Sequence, residues 1–134
     1  MQQVSTFRVR YAETDQMGVV YHANYLVWCE VGRTDLIRTL GTPYAEVERS
    51  GVSLAVADAR LRFKRGARYD EVVRVVTSVT EVRSRTVTFG YEILLEDGTP
   101  LATASTVLVA VGRDGRSTML PPELRQALEQ AIEN

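Results

Sequence analysis

One cysteine, one histidine, one lysine and one tryptophan are all that 134 residues contain of those four types. With Cys29 alone, no intrachain disulfide forms. With His22 the only imidazole and no second thiolate, a metal site built on a histidine cluster or on paired cysteines is excluded, and no metal is expected. Long apolar runs are missing as well: nothing approaches the roughly 20 consecutive apolar residues of a membrane span. The N-terminal MQQVSTFRVR also lacks the apolar core of a secretory signal. A reducing cytoplasm is the expected compartment. Charge of one sign is absent too. Sixteen Lys and Arg against 17 Asp and Glu leave a formal net charge of −1, which carries no polyelectrolyte signal for nucleic acid. An apolar share of 45% argues against disorder. No repeat, linker or low-complexity segment breaks the chain, so residues 1–134 read as a single domain.

What is present is organised around the stretch from Asp15 to Gly41. Asn24 to Leu40 reads as a helix: it holds no proline, its one glycine is Gly32, and Gly41 stands where a left-handed C-terminal cap belongs. Tyr25, Leu26, Val27, Trp28, Cys29 and Val31 put apolar side chains on every side of it, whereas a surface helix shows a single stripe. Arg33, Asp35 and Arg38 mark the far end as the one that returns to water, leaving the near end buried. Before this helix, residues 4 to 12 alternate with Ser5, Phe7, Val9 and Tyr11 on one side, a first strand. A loop from Glu13 to Val20 follows, in which Gly18 supplies a backbone angle other residues avoid or lets a ligand approach the main chain. Thr42-Pro43 reads as an N-cap with proline at the first helical position of a short turn closed by Gly51.

Beyond Gly51 the pattern is that of strands: Leu54 to Arg68, Val72 to Val82, Thr86 to Glu96, and Leu101 to Val111, the last two joined by an Asp97-Gly98 turn. These four are expected to be consecutive, antiparallel and hairpin-linked. Pro121-Pro122-Glu123 opens a terminal helix with Leu124, Ala127, Leu128, Ala131 and Ile132 on one stripe. The fold class is α+β in β-α-β-β-β-β order. Five strands make a sheet ~19 Å across and the helix is ~25 Å long, so the sheet covers only one side of it. The other side needs a partner, and a second copy of the chain across a two-fold axis is the expected one. A homo-oligomer, dimer at minimum, follows.

Tyr11, Asp15, Gly18, Val20-Tyr21-His22, Tyr25, Glu30 and Arg33 together resemble the signature of the 4-hydroxybenzoyl-CoA thioesterase-like branch of hotdog-fold acyl-CoA thioesterases. The resemblance is greatest to the bacterial short-chain enzymes associated with the Tol-Pal envelope system. Arg62-Phe63 to Ala67-Arg68-Tyr69-Asp70 resembles the family's second-strand element, so the likeness covers most of the chain in the right order. It implies a hotdog fold, with a five-stranded antiparallel sheet wrapped around a long central helix, and a tetramer built from pairs of dimers with active sites at subunit boundaries. Gly66 stands where relatives commonly carry proline, and Asp58 adds a carboxylate where many have a small polar residue; both departures bear on substrate preference.

Thioester hydrolysis needs a group to polarise the carbonyl, a group to attack it or activate water, and a surface for the cofactor arm. Free N–H groups at a helix N-terminus carry partial positive charge, so the turn around Tyr21, His22 and Ala23 suits the developing oxyanion. In the resembled family this role belongs to the main-chain amide at the position matching His22, and the carboxylate matching Asp15 is the nucleophile or the general base. The candidate catalytic residues are Asp15, His22 and Tyr25. The His22 side chain either orients substrate and protonates the leaving thiolate or is simply packed and hydrogen-bonded; Tyr25 and Glu30 either contact substrate or hold the loop. Cys29, two turns along the helix and about 10 Å from His22, reads as packing. Gly18 and Tyr21, with Arg60, Arg62, Lys64 and Arg65, are the candidate substrate-binding residues. Basic side chains at alternate strand positions suit the phosphates of coenzyme A, against the plainer reading of a solvated strand face. Coenzyme A is then part of the substrate and no separate cofactor is expected. Two other functions share these residues: a non-catalytic acyl-CoA or acyl-carrier binding module in which Asp15 only caps structure, and a hotdog dehydratase using His22 with a carboxylate.

Overall fold

The computed structural model describes residues 1–41 and 44–132. The chain runs as β1 (Gln2–Arg8), a single 3-10 turn (Tyr11–Glu13), α1 (Asn24–Thr39), α2 (Tyr44–Arg49), β2 (Ser53–Phe63), β3 (Val72–Val82), β4 (Thr86–Leu95), β5 (Pro100–Val111) and α3 (Pro122–Ala131). The five strands form one antiparallel sheet in the order β1-β3-β4-β5-β2. The α+β class and the strand-helix-strand order expected from the pattern hold. The Thr42-Pro43 cap falls outside the described residues.

Three expectations are corrected. β1 ends at Arg8, not residue 12, because the Glu13 amide donates to the Arg10 carbonyl at 3.0 Å and curls the chain out of the sheet. β2 ends at Phe63, not Arg68, because the amides of Lys64 and Arg65 both turn onto the Leu101 carbonyl, at 2.8 and 3.2 Å. β2 and β3 are also not a hairpin. β2 pairs with β5 and so lies at the edge opposite β1, while β3, β4 and β5 are the true meander. The link of residues 64–71 carries no two-residue turn signal of the kind that closes β4 on β5, where Gly98 takes φ +93°.

α1 lies on the sheet against β1, β3 and β4. Tyr25, Trp28, Cys29, Gly32 and Leu36, at helical spacing, are its buried stripe, facing Val73, Val75, Val79, Phe89 and Ile93 among others of the core. Gly32 sets the approach: a Cβ there would overlap Thr77 Oγ1 and sit 3.1 Å from Val75 Cγ1. The expectation that the near end of the helix is the buried one is corrected as well. Leu26, Val27 and Val31 are 38%, 47% and 38% exposed, whereas Leu36 and Ile37 at the far end are buried and the Arg33 side chain is 11% exposed. A single sheet buries one stripe along the whole helix, and the outer apolar face of its first half is left bare. α3 opens on Pro122 and buries Leu124, Leu128 and Ala131, with its neighbouring strand β3 beneath.

Candidate active site

The loop between the 3-10 turn and α1 is built on itself. The Asp15 amide donates to the Val19 carbonyl at 2.8 Å, and the Gly18 amide returns to the Asp15 carbonyl at 3.1 Å. Gly18 takes φ +81°, with nothing within 4 Å of where a Cβ would be, so it serves the turn and not a tight packing contact. Thr14 and Val20 bridge across the loop neck, and the loop docks on the 64–71 link: Val19 bridges Arg68, and the Val20 amide donates to the Ala67 carbonyl at 2.8 Å. Gly66 makes this possible, since a Cβ there would meet the Val19 side chain at 3.0 Å.

Within this frame one oxygen of the Asp15 carboxylate is tethered. Its Oδ1 accepts from the Met17 amide at 2.8 Å and from the Val19 amide at 3.4 Å. Its Oδ2 has no protein donor among the described residues, so half of the carboxylate is held and half is available. At the start of α1 the amides of Asn24, Tyr25 and Leu26 donate to the carbonyls of Tyr21, His22 and Ala23 at 2.9, 3.2 and 3.2 Å. The amides of His22 and Ala23 have no protein acceptor among the described residues, leaving them as donors at the positive end of the helix.

A cleft of ≈ 330 Å³ is bordered by Asp15, Val19, Val20 and His22 on one side and by Tyr25, Phe63, Lys64, Arg65 and Gly66 on the other. The structure thus brings Asp15, His22, Tyr25, Lys64 and Arg65 to one place. His22 is exposed, its ring lies 4.5 Å from the Tyr21 ring, and its imidazole has no hydrogen bond to another described residue, which does not fit a packed, hydrogen-bonded side chain. Tyr25 is buried, stacks edge-on to Phe63 at 5.1 Å, and its hydroxyl accepts the Ala67 amide at 3.2 Å. Burial pushes its phenol up, against the opposing pull of the Ala67 amide and the Arg65 charge, so it stays a neutral hydroxyl with its own proton to donate. Arg65 is steadied by Glu71 at 3.3 Å.

Other candidates sit elsewhere. Arg60 is on the edge strand and paired with Asp58 at 3.3 Å, and Arg62 is exposed beside it; neither borders the cleft. The single basic row read from alternation is therefore corrected: β2 stops before Lys64, so Lys64 and Arg65 turn toward the cleft while Arg60 and Arg62 remain on the strand. Gly18 and Tyr21 belong to the loop and the helix start without bordering the cleft. Glu30 faces the outer side of α1, 3.8 Å from Arg33, and so does not hold the loop. Cys29 is fully buried and its thiol is pushed up to about 12 by that burial, which removes it as a nucleophile at neutral pH. Among the described residues no group of three or more His, Cys, Asp and Glu side chains is placed to hold a metal, and no helix is long and apolar enough to cross a membrane.

Two residues that the sequence pattern did not single out complete the frame. Glu13 is a buried carboxylate at the loop entrance, and Asn24 turns its side chain back to the Glu13 carbonyl at 2.9 Å. Asn24 was legible only as the start of a helix, and nothing in the local spacing ties Glu13 to its indole partner, Trp28.

Residues 9–128 match a family described as the Thioesterase-like superfamily. The Bacillus subtilis protein YneP is 40% identical over 119 residues, covering 89% of this chain and 84% of that protein. The Haemophilus influenzae acyl-CoA thioesterase YbgC is 36% identical over 104 residues, 77% of this chain and 75% of its own. A crystal structure of the DHNA-CoA thioesterase from Staphylococcus aureus superposes with a TM-score of 0.92 at 35% identity, covering 96% of this chain and 89% of that one.

Proposed function

The chain belongs to the thioesterase-like superfamily, and from that membership we propose that it is an acyl-CoA thioesterase, hydrolysing a short-chain or aromatic acyl-CoA to the free acid and coenzyme A. The observation that carries the reading is the half-tethered Asp15 carboxylate, sharing a cleft with His22, the first of two residues before α1 whose amides have no protein acceptor among the described residues. With the thioester carbonyl oxygen set against the His22 and Ala23 amides, negative charge develops where donors already point. Asp15 then acts in one of two ways. As nucleophile it attacks the carbonyl carbon, expels the thiolate, and leaves an anhydride that water hydrolyses; as general base it takes a proton from a water that attacks directly. In both routes the sulfur leaves with a proton; His22, the Tyr25 hydroxyl and the Lys64 ammonium border the cleft as candidate sources, and in the general-base route the proton taken up by Asp15 is another. Lys64 and Arg65 face the cofactor arm, with Arg62 beyond them for the phosphates. Coenzyme A enters and leaves as part of the substrate, so no separate cofactor is required.

The bare face of Leu26, Val27 and Val31, continuous with exposed Val56 on the edge strand β2, supports the assembly reading, a dimer at minimum and a tetramer by likeness to the family; a cytoplasmic site of action is proposed from the lone, unpaired Cys29. Thiol release from a panel of short-chain and aromatic acyl-CoAs, followed with a thiol reagent, tests the function. A non-catalytic binding module is the second reading, favoured by the loop hydrogen bonds that Asp15 already makes; acyl-CoA binding without thiol release on any panel member decides for it.

A further inference from the structure

Glu13 stands out among the groups that the reaction does not use. It is 5% exposed, and its carboxylate is tied at both oxygens: Oε1 accepts the Arg10 amide at 2.8 Å and Oε2 accepts the Trp28 indole N–H at 2.9 Å. The Arg10 guanidinium lies 3.6 Å away on the solvent side. The main-chain carbonyl of the same residue accepts two more donors, the Tyr21 amide at 2.8 Å and the Asn24 side-chain amide at 2.9 Å. One residue therefore collects donors from the end of the first strand's exit, from the loop's return and from two successive turns of α1. Asp15 follows it by two residues, and the His22 and Ala23 amides lie between Tyr21 and Asn24.

We infer that Glu13 is a positioning residue: the buried joint that fixes the separation and orientation of the Asp15 carboxylate relative to the donor amides at the start of α1. Displacement of either partner by about 1 Å is enough to cost on the order of 100-fold in rate, because attack and oxyanion stabilisation must coincide at one carbonyl. The loop's own hydrogen bonds fix Asp15 within the loop, and the contacts with Ala67 and Arg68 fix the loop on the 64–71 link. Among the hydrogen bonds of the described residues, only those to Glu13, side chain and carbonyl together, tie the loop entrance directly to the helix. A carboxylate suits the task because both side-chain partners are donors; glutamine offers one acceptor and would set its NH₂ against the other donor.

This inference rests on the reading of Asp15 as the reacting carboxylate, and the test separates the two. Glu13→Gln is assayed for turnover and Michaelis constant on the acyl-CoA that the parent hydrolyses fastest, alone and combined with Asp15→Asn. Trp28 is the only tryptophan, so its emission spectrum reports the joint in the folded protein. The expected result is a turnover about 10- to 100-fold lower, a Michaelis constant unchanged within about twofold, a shifted indole emission, and less than about twofold further loss in the Asp15→Asn background, as for groups acting as one unit. If Glu13→Gln changes the emission yet keeps parental turnover while Asp15→Asn is inactive, the positioning role is wrong and the function stands. If Asp15→Asn itself is active, the reading of the site fails first. Should Glu13→Gln not fold, Asn24→Ala removes one donor to the same carbonyl with a good helix former, and parental turnover in that variant overturns the inference.

Discussion

Replacing Asp15 by asparagine removes charge while leaving shape. The asparagine Oδ1 inherits the acceptor position that holds the Met17 amide at 2.8 Å and the Val19 amide at 3.4 Å. Its NH₂ takes the place of Oδ2, which has no protein donor to lose among the described residues. Two charge-assisted hydrogen bonds become neutral ones in a partly exposed loop, a stability cost of at most about 1 kcal/mol. The catalytic cost is larger. A positioned general base contributes at least ~100-fold, and each factor of ten is about 1.4 kcal/mol of barrier, so turnover should fall by the equivalent of ~2.7 kcal/mol or more. Substrate affinity, set by the arm and the cleft walls, should change by less than about threefold, since the lost interaction belongs to the transition state. Thiol release gives turnover and Michaelis constant; melting and light scattering confirm that fold and assembly are intact. Rapid-quench mass spectrometry of the parent then divides the two routes, because acyl mass on the peptide that carries Asp15 marks the anhydride. Turnover within a few-fold of the parent, with melting and assembly unchanged, refutes the role given to Asp15.

Lys64→Ala and Arg65→Ala should raise the Michaelis constant for acyl-CoA with turnover nearly intact, and do so far less for acyl-pantetheine, which lacks the nucleotide; equal losses on both substrates would make these residues structural. Gly32→Ala should lower stability by about 1–2 kcal/mol in urea denaturation, the overpacking against Thr77 and Val75 exceeding the ~1 kcal/mol gained from alanine in a helix. Adding Thr77→Ala should recover part of that loss, and a stabilised Gly32→Ala would contradict the packing. The Cys29 thiol, raised to about 12 from an ordinary value of 9.0, stays protonated in the folded chain where the unfolded chain ionises. Its contribution is therefore complete below about pH 9 and is lost as pH rises toward 12, so alkaline urea titrations should show a shallower loss of stability in Cys29→Ala than in the parent; identical slopes would remove Cys29 as a source.

Elements whose order is local were legible in the residues. The period of two in Val72 to Val82, the Asp97-Gly98 turn and the stripe of α3 gave bounds within a residue or two of those observed. The pairing of β2 with β5 was not, since which strand an edge strand pairs with is a matter of the whole sheet, and alternation in Leu54 to Arg68 gave no sign that the ladder stops at Phe63. Asp15, His22 and the helix start were recognisable because they lie on one short stretch. Lys64 and Arg65 read as strand residues from alternation, whereas it is their exit from the strand that brings them to the cleft. Glu13 escaped notice because its meaning lies in an indole on the next element and in a carbonyl that carries no sequence label.

The docking of the Asp15 loop on the 64–71 link also bears on the order in which the molecule assembles. Val20 meets Ala67, and Val9 exchanges hydrogen bonds with Glu71 and Asp70, across most of half the chain. Contacts of long sequence separation form late, because the intervening chain must first be closed. Helix α1 and the β3-β4-β5 meander are local structures and are available early, whereas the cleft is not a place at all until β2 has crossed to the far edge and its exit has returned to meet the loop. During refolding, far-UV circular dichroism should therefore recover ahead of thiol-releasing activity, and a chain arrested midway would have most of its secondary structure and no site.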